Sequence, residues 1–140
     1  MPHTPAGPSA QTVSQRPAYR MAAMLIGIGV GHFLRPKPFD AIVPPQLPGS
    51  PRIYTYASGL AEIGVGAMLL MPRTRRTGAL AAAALYLAVF PANLNMMRMW
   101  KDKPLPMRLG AMARLPMQAP MVTQALAIRR NAPRRGLLRG

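Results

Sequence analysis

Cysteine is absent from this 140-residue chain, and acidic residues nearly so, Asp40, Glu62 and Asp102 being the only three. Without thiols there is no disulfide, no thiolate nucleophile and no cysteine-held zinc or iron–sulfur centre on this chain. With so few carboxylates there is no catalytic carboxylate pair, and His32 with Glu62 falls short of an ordinary metal ligand set, so no metal is expected. A glycine-rich phosphate loop and a nucleophile elbow are also missing. Charged residues make up only 15% of the chain, against about 25% in typical soluble domains.

What the chain does have is apolar bulk and basic charge. Half of it is hydrophobic, and 18 Lys and Arg give a formal net charge of +15. A nucleic-acid binder would interleave basic and aromatic side chains on one surface. Here the basic residues fall mostly between long apolar stretches, so no nucleic-acid partner is expected and the lipid bilayer is.

A membrane-spanning helix needs roughly 20 mostly apolar residues. Four stretches approach that length, at about residues 17–34, 53–71, 77–99 and 109–128. In hydrocarbon the backbone must satisfy its own hydrogen bonds, so the expected fold is all-α, an antiparallel four-helix transmembrane bundle. The first stretch is followed by HFLRPKPF, which offers no small-residue cleavage site, so it is expected to stay in the protein. Residues 1–16, rich in Pro, Ser and Thr, read as a disordered cytoplasmic tail, and residues 129–140 as a basic cytoplasmic tail that contacts anionic lipid. The tails and second loop carry Arg16, Arg20, Arg73, Arg75, Arg76, Arg129, Arg130, Arg134, Arg135 and Arg139. The first and third loops carry fewer: Arg35, Lys37, Arg52, Arg98, Lys101, Lys103 and Arg108. The positive-inside rule therefore gives a multi-pass plasma-membrane protein with both termini in the cytoplasm.

Glu62 lies inside the apolar run SGLAEIGVGAMLLM. A carboxylate at that depth is costly against lipid and is expected to face the bundle interior. Thr55, Ser58, Gly59, Glu62 and Gly66 share one face of a helix, and Gly27 and Gly31 offer a matching small surface on the first helix. Counting depth at about 1.5 Å per residue brings His32, Glu62, Asn93 and Arg114 to the outer half of the bundle, with Gln118 one turn deeper than Arg114. Arg114 is the natural partner for Glu62, since a guanidinium can pair with a carboxylate through two hydrogen bonds. Pro91, inside FPANLN, is expected to free the Leu87 carbonyl and kink the third helix, with Asn93 and Asn95 satisfying freed groups. Pro116 and Pro120 suggest similar irregularity in the fourth. Three readings of this cluster stay open: a structural polar network, a ligand pocket for a quinone or lipid headgroup, and a proton-relay or redox site using His32.

Together, GVGHFLRPKPFDAIVPP after the first helix, SGLAEIGVGAMLL, PRTRRTGALAAAALYLAVFPANLNM and RLPMQ at residues 114–118 resemble the DoxX-like family of small four-helix membrane proteins. The resemblance covers roughly residues 24–128. It implies a four-helix bundle whose interior is lined by Glu62, Asn93 and Arg114. Some members are named as small subunits of quinol- or thiosulfate-oxidising complexes, and the cysteine chemistry proposed for some relatives has no counterpart here. The functional expectation is a non-catalytic accessory or assembly subunit, partnered by other membrane subunits. A quinone- or lipid-linked redox component is the alternative, and a small-molecule carrier ranks last.

Overall fold

The computed structural model describes residues 12–134. Residues 1–11 of the expected N-terminal tail and 135–140 of the basic tail lie outside the described residues. The described chain is entirely helical, with α1 (Arg16–Leu34), α2 (Pro36–Ile42), α3 (Pro51–Leu70), α4 (Arg75–Ala88), α5 (Phe90–Met99) and α6 (Leu105–Asn131).

Proline starts most of these helices. Pro17, Pro36, Pro51, Pro91 and Pro106 each occupy one of the first two positions of a helix, α4 being the exception. The ring fixes φ near the helical value, and the missing N–H would have had no acceptor there. No first turn carries an acidic residue, and no N-cap side chain accepts from the first-turn N–H groups of its helix. With three carboxylates in the chain, proline takes over the starting role that Asp or Ser usually fills.

Pro91 interrupts the expected third helix without ending it, since Val89 N still donates to Leu85 O and Asn93 N to Val89 O. The expected third helix is two pieces, α4 and α5, separated at Val89. Pro116 and Pro120 instead lie within an unbroken α6. The first loop holds the seven-residue α2 and no longer helix, in keeping with its prolines.

Two segments are long and apolar enough to cross a membrane, Pro51–Leu70 and Arg75–Met99. The helices at the other two expected spans, α1 with 19 residues and α6 with 27, are long enough but less apolar. Packing is densest between α1 and α3, then between α4 and α6 and between α3 and α4. The α1 face turned inward is Ala18, Met21, Ala22, Leu25, Gly29 and His32, at steps of three and four. The core is rich in alanine, with Ala79, Ala82 and Ala125 fully buried. The larger side chains point outward: Leu34 is 76% exposed, Leu60 68% and Ile53 63%.

At the end of the molecule where α3 turns into α4, arginines tie helix ends together. Arg75 is buried among the carbonyls that finish α3, donating from Nε to Leu69 O (2.7 Å) and from Nη2 to Leu70 O (2.9 Å). Its Nη1 reaches Gln15 Oε1 at 3.3 Å, and its guanidinium lies 4.9 Å from the Tyr19 ring centre. Arg76 and Arg129 each donate to the other's backbone carbonyl, at 2.8 and 3.4 Å. At the opposite end, Asp40 on α2 accepts from Arg52 Nε at 2.8 Å. The neighbouring Thr55 hydroxyl, and then Arg52, hold the Asp40 carboxyl below its usual range.

Candidate functional site

The glycine contacts between α1 and α3 set the site. A Cβ on Gly29 would stand 2.7 Å from the Gly59 carbonyl oxygen, and one on Gly59 would stand 2.7 Å from His32 Cβ and 2.9 Å from Gly29 O. A Cβ on Gly66 would meet Ile26 at 2.5 Å. The helices therefore touch backbone to backbone, as small residues permit in membrane helix pairs. The expected α3 face is largely as read, with Thr55, Gly59, Glu62 and Gly66 buried. The α1 face differs, because Gly27 has open space around it and Gly31 meets only Phe39 at 4.0 Å. Gly29 makes the close contact instead.

That approach places His32 beside Glu62. His32 Nδ1 lies 2.8 Å from Ile28 O and 3.1 Å from Glu62 Oε2. A carbonyl oxygen can only accept, so the close Ile28 contact puts the hydrogen on Nδ1. Its aim favours the carbonyl, and Glu62 Oε2 stays buried without a full hydrogen bond. Phe39 of α2 stacks on the His32 ring at 3.8 Å between centroids, holding its plane.

Gln118 reaches in from α6 and donates from Nε2 to Tyr86 O at 2.8 Å. Tyr86 is in the last turn of α4, where carbonyls lack ordinary helical donors, so Gln118 steadies the end of α4 just before the Val89 break. Gln118 Oε1 and the Tyr86 hydroxyl are both buried without partners. The Tyr86 phenol is within electrostatic reach of Glu62. Thus α1, α3, α4 and α6 each bring a polar group inward: His32, Glu62, Tyr86 and Gln118.

Two sequence expectations need correction. Arg114 is near enough for its charge to act on Glu62, yet it is exposed and forms no ion pair with it among the described residues. Asn93 is half-buried and makes no side-chain hydrogen bond among the described residues. Asn95 is the asparagine that bonds. It donates to Ile42 O at 3.0 Å, tying α5 to the end of α2 rather than to the carbonyls near Pro91.

Tyr86 was absent from the candidates read from sequence. Its signal was a single phenol in the alanine-rich run GALAAAALYLAVF, where a buried hydroxyl needs a partner.

Residues 21–129 match a family described as a domain of unknown function, DUF8561. The chain belongs to that family. No curated protein and no solved structure matches this DUF8561 member.

Proposed function

We propose that this DUF8561 protein is a multi-pass plasma-membrane protein, an antiparallel four-helix transmembrane bundle with both termini cytoplasmic. In this reading it serves as a non-catalytic accessory or assembly subunit of a larger membrane complex. The spans are α1, α3, the α4–α5 rod and α6, and α2 lies at the outer interface. The resemblance to DoxX-like proteins belongs to the same proposal.

The observation that carries the reading is the outward surface. Bulky apolar side chains cover it, and smooth lines of small residues run between them. Ala57, Ala61 and Gly64 on α3 and Ala23 and Gly27 on α1 are exposed at helical spacing. Nothing stands within 4 Å of a Cβ built on Gly27 or Gly64. A neighbouring subunit's helix can approach closely along such lines. Gentle solubilisation followed by measurement of particle mass tests this: a particle larger than one chain, with co-purifying subunits, is expected. A lone monomer without partners overturns it.

A second reading, a quinone- or lipid-linked redox component, is favoured by one specific observation. Glu62 Oε2, Tyr86 OH and Gln118 Oε1 are buried polar atoms without partners, and such groups ordinarily bond to something. Glu62 Oε2 and Gln118 Oε1 accept whereas the Tyr86 hydroxyl can donate, so quinol hydroxyls match the first two and a quinone carbonyl matches the third. Under this reading Glu62→Gln accumulates normally and loses quinol binding by about tenfold or more, the loss of roughly one charge-assisted hydrogen bond. A variant that fails to accumulate points to a structural network instead. A carrier role needs oligomerisation, because four helices are few for alternating access.

A further inference from the structure

A cleft of about 390 Å³ opens between the start of α4 and the end of α6, lined by Arg73, Arg76, Thr77, Arg129 and Arg134. Four guanidiniums thus face one concavity, in the size range of small-ligand pockets, about 300–1,000 Å³. We propose that this cleft binds a phosphate group, that of an anionic phospholipid headgroup.

Charge balance makes the argument. All three carboxylates of the chain lie elsewhere. Asp40 is bonded to Arg52 beyond the far end of α3. Glu62 sits about 12 Å along α3 from its C-terminal end. Asp102 precedes the 27-residue α6, so it is about 40 Å from the cleft. No side chain of this protein neutralises the four arginines, and an external anion can.

Geometry adds direction. Arg76 and Arg129 are held in place by their reciprocal bonds to each other's carbonyls. Each bond uses one N–H of five, leaving donors free for a second acceptor. Thr77 adds a hydroxyl. Planar guanidiniums bind phosphate oxygens in pairs, with a geometry that an ammonium lacks. The lipid source rests on the membrane reading above, whereas the phosphate chemistry does not.

The test uses the full-length protein in neutral detergent, titrated with short-chain phosphatidylglycerol, with phosphatidylcholine of the same chain length, or with inorganic phosphate. Phosphatidylglycerol is expected to bind, and the exposed pair Arg73→Gln/Arg134→Gln to weaken it about tenfold, roughly one charge-assisted contact. Arg16→Gln/Arg130→Gln removes the same charge outside the cleft and is expected to leave affinity within about twofold. Equal losses in both double variants, or equal binding of phosphatidylcholine, overturn the site. Inorganic phosphate binding as tightly as the lipid, with the same loss in the cleft variant, supports the phosphate site and overturns the lipid source. Micelle titration does not depend on how many times the chain crosses a bilayer, so a failed membrane reading leaves the phosphate result interpretable.

Discussion

Gly29→Ala is expected to destabilise the protein by about 2 kcal/mol, whereas Gly64→Ala is expected to be neutral or to stabilise it by up to about 1 kcal/mol. Both changes add one methyl group within a helix, and both gain helix propensity. At Gly29 the methyl meets the Gly59 carbonyl oxygen at 2.7 Å and Ile63 Cγ1 at 2.8 Å, so α1 and α3 must move apart. At Gly64 it meets nothing within 4 Å. Thermal midpoints of the two variants in one detergent check the contrast. Equal effects at the two positions would mean that α1 and α3 are not in backbone contact. Separation of these helices also moves His32 away from Glu62, whose Cβ the new methyl meets at 3.1 Å, so Gly29→Ala should alter the polar cluster as well as the packing.

The second large effect is at Arg75. Arg75→Met keeps the length of the side chain and removes its donors. The Leu69 and Leu70 carbonyls then lose their side-chain partner at the end of α3. Hydrogen bonds to charged groups contribute about 1.5–3 kcal/mol each, and the expected loss is about 3 kcal/mol after allowing for the cost of burying the cation. Arg75→Lys should fall between the two, because one ammonium cannot span both carbonyls and Gln15. Thermal midpoint and protease sensitivity of the α3–α4 turn give the readout. An unchanged Arg75→Met midpoint would show that the buried guanidinium contributes nothing net.

These residues also show how much of the molecule could be read from sequence. The all-helical class was legible because the apolar runs are long and most of the prolines, Pro91, Pro116 and Pro120 apart, fall between or at the ends of them. The polar face of α3 was legible because Thr55, Gly59, Glu62 and Gly66 repeat at helical steps. On α1 the pair Gly27 and Gly31 was a tempting motif, but glycines recur at every second position there, and spacing alone does not choose among them. His32 would have chosen: stepping back by three and four from it leads to Gly29, Leu25, Ala22 and Ala18, the face that is buried.

The pairing of Glu62 was harder. Depth counting brought Arg114 to a suitable level, but depth says nothing about rotation around α6. Gln118 faces inward there, along with Ala111 and Ala125 seven residues to either side, and Arg114 lies at the edge of that line. Arg75 was read only as one charge in a basic turn, since counting charges does not distinguish a guanidinium folded back onto carbonyls from one in solvent.

The arginine ties differ in how far along the chain they reach. Arg75 bonds carbonyls six and five residues earlier, whereas Arg76 and Arg129 are 53 residues apart. During synthesis the first tie can close once the α3–α4 hairpin has emerged. The second must await the final helix, so the chain is completed as a hairpin first and latched last.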